Sequence, residues 1–406
     1  MTAFGATSFF NDTASEMAYW ILPAFLVSIG AGPAALGIIE GVAESVTSFA
    51  KLGSGYWSDK LERRKPVVVA GYAVANAVKP LLAVVGAWWQ VLLIRFADRF
   101  AKGVRGAPRD VMVAESAAPE RVGAAFGLLQ AMDSAGAIAG PLLALAILPV
   151  FGFKGVFLAA AVPGLISILV VSFFVREHHR TKPERASTQD RLPGRTLPRL
   201  PASFYYLIGV IALFSIANSS DMFLVLRAEN VGISVKHTPL LGLVFNITYT
   251  LFSWPAGRLS DSLARTASGP GWASLGRSRH LMAAAGYVVF AIVYAVFAWA
   301  PSRAAIWSMM ALYGLYYALT APVLKAIVAA SVPAEVRGRA FGIFAFVTSV
   351  TTLFASLLTG QLWKHFGAAL PFWLSAGLAL IAALALIVAP SRPEQNRQTP
   401  VVDSGH

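Results

Sequence analysis

Long runs of apolar residues follow one another along almost the whole chain and are separated by short polar breaks. A helix needs about 20 apolar residues to cross the hydrocarbon core of a bilayer, and most of the runs reach that length. The pattern therefore predicts an all-α membrane protein with twelve transmembrane helices. The predicted spans are 7–29, 33–57, 67–86, 88–107, 122–148, 153–175, 204–226, 237–257, 280–300, 305–332, 340–363 and 369–389.

The charged residues fix the expected orientation of these spans. The net charge of +13 would suggest a nucleic-acid partner in a soluble protein. Most Lys and Arg residues outside the spans, however, lie in alternate breaks, which is the bias of cytoplasmic loops. We therefore expect both termini in the cytoplasm, lipid headgroups as the partner of the basic residues, and no nucleic acid. The opposite breaks hold only Lys154, Arg227, Lys236, Arg303 and Lys364.

A short segment occurs once in each half of the chain. Gly55 and Asp59 follow the second predicted span, and Gly257 and Asp261 follow the eighth, at an offset of 202 residues. Such internal repeats are typical of membrane transport folds. We therefore predict two related bundles of six helices. The expected divisions are an N-terminal bundle at 1–175, a cytoplasmic linker at 176–203, a C-terminal bundle at 204–389 and a disordered cytoplasmic tail at 390–406.

At these residues the chain resembles the major facilitator superfamily, over essentially its whole length. The signature of that family after the second span is matched by Gly55, Asp59, Lys60, Arg63 and Arg64. The resemblance implies a 6+6 arrangement in the cytoplasmic (inner) membrane and a monomer without cofactor that transports small molecules. It also implies that the signature forms a conformational latch between helices that separate and re-form.

The latch residues carried over from this resemblance belong to both copies of the repeat. They are Gly55, Asp59, Arg63, Arg64, Gly257 and Asp261. A purely topological role for the basic turn is the alternative, since cytoplasmic loops are basic in any case.

Two further segments are similar to motifs of the same family. Arg99 begins a segment similar to R-x-x-Q-G, with Lys in place of Gln. Gly136, Gly140 and Pro141 in the fifth span are similar to the motif of the drug and metabolite antiporter branch. Ordinary packing of small residues beside a proline kink is an equal alternative for the second motif.

Ionisable residues inside predicted spans raise the free energy of membrane insertion, so each needs a partner or a function. Glu40 and Glu44 in the second span share one helix face, and Arg95 and Arg99 lie at matching depths in the fourth. We predict that these four residues share a cavity, where one carboxylate carries a proton until a cation approaches. A static network of ion pairs that fixes helix packing is the alternative.

Other candidates for the cavity are acidic or aromatic. In the first half they are Asp12, Glu16 and Asp133, while Asp98 is expected to pair locally with Arg95 and Lys102. The second half is less charged and offers hydroxyl groups and rings, which suit an organic solute. Its candidates are Asp221, Asn246 and Tyr317.

The sequence also bears on the kind of activity. It contains no nucleotide-binding loop, no H-E-x-x-H and no G-x-S-x-G motif, so we expect neither a pump driven by ATP nor an enzyme. The chain has no Cys, and its six His lie near loops and span ends, so no metal site is expected. We predict a secondary transporter that exchanges protons for a small organic solute in efflux. A proton-coupled importer and a receptor without transport remain alternatives.

Overall fold

The structure is a computed structural model that describes residues 1–31, 33–177, 199–234, 237–266, 273–299 and 302–388. Most of the predicted linker and the predicted tail lie outside these residues. Within them the chain forms α-helices and short 3-10 turns, and no strand is present. The first half contains α1 Thr2–Tyr19, α2 Leu22–Ser28, α3 Pro33–Lys60, α4 Lys65–Val78, α5 Trp88–Glu115, α6 Val122–Ala159 and α7 Ala161–Phe173. The second half contains α8 Ala202–Ala217, α9 Met222–Asn230, α10 Thr238–Thr266, α11 Ala273–Trp299, α12 Arg303–Ser331, α13 Arg337–Phe366 and α14 Ala369–Val388.

Six helical segments of the described residues are long and apolar enough to cross a membrane by length and composition. This confirms an all-helical membrane protein, whereas the count of twelve spans stays a prediction. Helices α3 and α5 are long enough but carry several charges, which lowers their mean hydropathy. The six segments are Lys65–Val84, Pro119–Phe173, Ser278–Trp299, Arg303–Ser331, Ala334–Phe366 and Ala369–Val388.

The first predicted span of each half is interrupted. Helix α1 ends at Tyr19 and α2 begins at Leu22, where Pro23 has no N–H to continue the helical ladder. Helix α8 ends at Ala217, and Asn218 leaves helical geometry with φ −94° and ψ 84°. The second break lies 198 to 200 residues after the first, close to the repeat offset of 202. Each half therefore begins with a discontinuous helix, a feature that marks the binding site in many transporters.

One predicted boundary differs from the observed one. Helix α5 continues through Pro108 to Glu115, beyond the predicted end at residue 107, because a helix can extend beyond the apolar part of a span. The predicted break at 149–152 contains Gly152, which leaves helical geometry with φ 62° and ψ −171° and divides the run Val122–Ala159.

Glu177 shows where the chain leaves the first half. Its carboxylate accepts hydrogen bonds from the backbone N–H groups of Arg64 (2.5 Å) and Lys65 (3.2 Å), which begin α4. The turn between α3 and α4 therefore lies at the same end of the bundle as the C-terminus of α7. We call this end the linker end, because the chain enters the predicted linker here.

Candidate functional site

Asp59 connects the two halves at the linker end. Its Oδ1 accepts a hydrogen bond of 2.6 Å from the N–H of Gly338, and its Oδ2 accepts one of 2.9 Å from the N–H of Arg339. The Arg339 guanidinium also lies 3.4 Å from Oδ2. These N–H groups begin α13 and have no partner within that helix. A carboxylate of the first half therefore caps a helix of the second half, where the helix dipole favours negative charge.

Asp261 makes the same contact in the opposite direction. The N–H groups of Gly123 and Ala124, at the start of α6, donate to its two oxygens at 3.0 and 2.7 Å. The Arg279 guanidinium lies 3.0 Å from Oδ1. A carboxylate of the second half thus caps a helix of the first half, and the repeat seen in the sequence is a repeat of contacts.

Glycines bring the backbones of these helix pairs together. A Cβ atom on Gly55 of α3 would lie 2.5 Å from the carbonyl oxygen of Gly338. A Cβ atom on Gly257 of α10 would clash with the carbonyl oxygen of Gly123 in α6. Because any larger residue would separate the backbones, the glycines are what allow the two carboxylates to reach their helix N-termini.

The basic turn predicted as part of the latch acts within the first half. Arg64 is buried, forms an ion pair of 3.0 Å with Glu115 of α5, and donates to the Ser58 hydroxyl. Arg63 lines a surface cavity of about 620 Å³ together with Lys65 and Glu177. The cation beside Asp59 is instead Arg339. The motif could not reveal this partner, since Arg339 is separated from Asp59 by most of the chain.

A partly buried ion pair also joins the halves. Lys325 of α12 lies 3.2 Å from Oδ2 of Asp110 in α5, and Arg109 lies 3.0 Å from Oδ1 of the same carboxylate. The Lys325 ammonium also lies 5.6 Å from the centre of the Phe126 ring in α6. The sequence analysis did not pair these residues, because nothing in the spacing of the chain brings Asp110 to Lys325.

The structure brings Glu40 and Arg95 together, as the matching depths suggested. The Arg95 guanidinium donates a hydrogen bond of 2.5 Å to Oε1 of Glu40 and lies over the Tyr19 ring, 3.9 Å from its centre. Arg99 lies 5.8 Å from the same ring. Glu44 belongs to α3, but its side chain lies outside the described residues. This group adjoins the break between α1 and α2.

Asp98 does not pair as predicted. Its oxygens lie 3.8 Å from Arg99 and 4.0 Å from Lys79, which is 1% exposed. The Lys79 ammonium also donates to Asn76 at 2.8 Å. The expected pairing with Arg95 and Lys102 is wrong, because the Arg95 guanidinium bonds Glu40 and Lys102 is exposed. A lysine in an apolar run gave no sign of burial, since long side chains often reach the interface.

A chain of amides extends this polar group to Asp12. Asn76 donates to the side chain of Asn11 at 3.1 Å, and Asn11 donates to Oδ1 of Asp12 at 2.9 Å. Together with Lys79 and Asp98, these residues link α1, α4 and α5 through the interior of the first half. Buried polar groups in hydrocarbon need such partners.

Helix α6 places Asp133 against α1. The Ser8 hydroxyl donates to Oδ1 of Asp133. A Cβ atom on Gly136 would lie 2.5 Å from the Phe9 carbonyl oxygen, and one on Gly140 would lie 2.6 Å from Cβ of Glu16. The small residues of the motif thus pack α6 on α1, with Pro141 next in the helix. This packing positions both Asp133 and Glu16.

In the second half, Asp221 lies at the break between α8 and α9. Its carboxylate is exposed and accepts a hydrogen bond of 2.7 Å from the hydroxyl of Tyr313. Tyr317 is half-buried, with its ring centre 4.7 Å from that of Tyr316. Asn246 bonds the backbone of its own helix at Gly242. The candidates of this half therefore form one group around Asp221 and the tyrosines, with Asn246 outside it.

Comparison with known proteins places the chain in a family. It matches the sequence profile of the Major Facilitator Superfamily over residues 4–270 and 207–404. It is 34% identical to an uncharacterized MFS-type transporter of Methanocaldococcus jannaschii over 94% of this chain and 93% of the relative. It is 24% identical to the multi-drug resistance efflux pump PmrA of Streptococcus pneumoniae over 88% of each chain. The human organic anion transporter MFSD10 shares the fold, with a TM-score of 0.74 at 17% identity over 95% of this chain and 98% of that chain. The protein belongs to the Major Facilitator Superfamily, whose members are membrane transporters of small solutes and not enzymes.

Proposed function

We propose that the protein is a proton-coupled efflux transporter that exchanges protons for a small organic solute by alternating access. It acts as a monomer of two six-helix bundles, 1–175 and 204–389, in the cytoplasmic membrane. The termini and the linker lie in the cytoplasm, as the distribution of basic residues supports. The observation that carries this proposal is the duplicated contact of Asp59 with α13 and Asp261 with α6.

These contacts suit an interface that opens and closes. Each consists of two backbone hydrogen bonds and one ion pair to a buried carboxylate, and water can take the place of these partners when the halves separate. Separation also exposes apolar side chains such as Phe126 and Phe341, whose ring centres lie 5.8 Å apart across the halves, so the closed contact has a hydrophobic component as well. Both contacts lie at the linker end. With that end in the cytoplasm, we interpret this structure as closed toward the cytoplasm.

Asp133 is the proposed proton carrier. The Ser8 hydroxyl is its hydrogen-bond partner, and its charge interacts with those of Asp12, Arg109 and Lys325. Protonation of Asp133 would change the field at Arg109 and Lys325, which hold Asp110 between the two halves. This gives a physical route from proton binding to the strength of an inter-half contact. Glu40 is already paired with the cation Arg95. We therefore assign this pair to a structural role beside the solute cavity.

The test uses purified protein in liposomes with a pH gradient, and solutes selected by thermal shift from metabolites and antibiotics. An antiporter accumulates solute in vesicles that are acidic inside, whichever way the protein is inserted. A symporter accumulates it in vesicles that are alkaline inside. Accumulation only in the second case would overturn the exchange mechanism. Solute binding without flux in either gradient would indicate a receptor.

The efflux direction rests on separate support. PmrA, at 24% identity, is an efflux pump, and the motif of Gly136, Gly140 and Pro141 is similar to that of the antiporter branch. A cellular assay tests it: cells that express the protein should retain less solute than cells without it. Greater retention would overturn efflux and favour import.

A further inference from the structure

Asp221 is a carboxylate without a cationic partner inside the predicted span 204–226. It lies in the break between Ala217, where α8 ends, and Met222, where α9 begins. Tyr313 donates to it, and among the described residues no Lys, Arg or His forms an ion pair with it. Its side chain also does not bond the free N–H groups at the start of α9. A carboxylate in this position requires a partner or a function.

Aromatic rings of α10 and α12 lie beside this carboxylate. Tyr313, Tyr316 and Tyr317 follow one another on α12, and α10 contributes Phe245 and Tyr249. The centre of the Tyr317 ring lies 5.2 Å from that of Phe245 and 5.4 Å from that of Tyr249. Tyr317 is half-buried, while Tyr313 and Tyr316 are buried behind it. Ring faces carry negative electrostatic potential and attract organic cations.

The broken helix is held at this position by further polar contacts. The backbone N–H of Ser220 donates to the Ser356 hydroxyl of α13 at 2.9 Å. The Asn218 side chain accepts from Tyr313 at 3.3 Å and donates to Tyr316 at 3.5 Å. Helices α12 and α13 therefore hold the interrupted segment in place, and Asp221 belongs to this segment.

The cations of the first half are differently placed. Arg95 is paired with Glu40 and Lys79 with Asp98, and Lys325 of the second half is likewise paired, with Asp110. These charges are already compensated by protein groups. Lys102 of α5 is exposed and is the group that an anionic solute would use. The second half, in contrast, presents the exposed carboxylate of Asp221 beside aromatic rings.

We propose that Asp221 and the three tyrosines of α12 bind the charged group of a monovalent organic cation, such as an amphipathic amine or onium ion. The carboxylate supplies the counter-charge, and the ring of Tyr317 supplies a cation–π contact and apolar area. A divalent metal ion is less suited to the site. Among the described residues, no three or more His, Cys, Asp or Glu lie close enough together to hold a metal ion. This assignment of the substrate class rests on the proposed transport function.

Tetraphenylphosphonium and tetraphenylborate test the sign of the charge, because the two ions have nearly the same shape and opposite charge. Binding of each radiolabelled ion is measured on protein in lipid nanodiscs, with empty nanodiscs as the background. We expect saturable binding of the phosphonium ion and none of the borate ion. Asp221→Asn should weaken phosphonium binding about ten-fold or more, whereas Glu120→Gln, which removes an exposed carboxylate elsewhere, should leave it unchanged.

Variants of Tyr317 test the ring separately. Tyr317→Leu should weaken phosphonium binding by about three-fold to thirty-fold, and Tyr317→Phe should retain it, because the ring face remains. Size-exclusion chromatography and thermal unfolding establish that each variant is folded. If Asp221→Asn fails to fold, the proposal is still tested by the two Tyr317 variants and by the comparison of the two ions in the unmodified protein.

Three results would overturn the proposal: equal binding by Asp221→Asn, borate binding at least as tight as phosphonium binding, or no saturable binding of either ion. Transport data separate this proposal from the transport function. Flux of a neutral or anionic solute that tetraphenylphosphonium does not inhibit would refute the cation site and leave the transporter. Phosphonium binding that depends on Asp221, without flux of any solute in either gradient, would support the site and refute transport.

Discussion

The Oδ1 atom of Asp59 lies 2.6 Å from the backbone nitrogen of Gly338, across the boundary between the two halves of the chain. The repeat places Asp261 and Gly123 in the same relationship, at 3.0 Å. In each case a glycine at the helix N-terminus leaves room for the approaching backbone. These two contacts make the linker end the closed end of the molecule, and the first two predictions concern them.

Removal of one capping charge should loosen the linker end. A carboxylate at a helix N-terminus contributes about 1 kcal/mol, so Asp261→Asn should favour opening roughly five-fold. The chain has no Cys, which makes a single introduced thiol a clean reporter. Ser253→Cys is suitable, because Ser253 is fully buried where α10 meets α6. Its maleimide labelling should accelerate about five-fold with Asp261→Asn, while Glu120→Gln leaves the rate unchanged. An unchanged rate with Asp261→Asn would contradict the role of the cap.

Gly55→Ala should separate α3 from α13, because the added Cβ atom would lie 2.5 Å from the Gly338 carbonyl oxygen. We expect the initial rate of solute flux in liposomes to fall about ten-fold or more, since a crossing that cannot close blocks the transport cycle. Gly53→Ala is the matched control, because a Cβ atom at Gly53 meets nothing within 4 Å. Equal rates for the two variants would show that the close crossing is unimportant.

The Glu40–Arg95 pair should respond asymmetrically to neutralisation. The Arg95 side chain is 3% exposed and the Glu40 side chain is 43% exposed. Glu40→Gln leaves a buried cation without a counter-charge, which costs about 3–5 kcal/mol for a fully buried pair and less here. Arg95→Gln leaves a carboxylate that solvent can reach. Thermal unfolding in one detergent should therefore give the lower midpoint for Glu40→Gln, and the reverse order would disprove this account.

Asp133→Asn should uncouple solute movement from protons. The variant keeps an oxygen that can accept from the Ser8 hydroxyl but cannot release a proton. We expect exchange of labelled for unlabelled solute to continue, while accumulation driven by a pH gradient is lost. Ser8→Ala, which removes the hydrogen bond and keeps the carboxylate, should retain accumulation. Normal accumulation by Asp133→Asn would exclude this residue as the proton carrier.

The sequence by itself determined the class of protein and the repeat. Apolar runs of about 20 residues reflect the thickness of the bilayer, which is a local requirement on each helix. The copies at Asp59 and Asp261 could be found by comparing the chain with itself. The matching depths of Glu40 and Arg95 also follow from helix rise alone, and the structure brings these two side chains together.

Tertiary structure decided the partners. Asp59 meets Arg339, Asp110 meets Lys325 and Lys79 meets Asp98, and none of these pairs follows from spacing along one helix. The breaks at Ala217 and Tyr19 were also missed, because each lies within a run long enough to be taken as a single span, although residues 218–221 are polar. The physical reason is the same in each case. Hydropathy reports the solvent around a helix, whereas the partner of a buried charge depends on which helix faces it in the folded bundle.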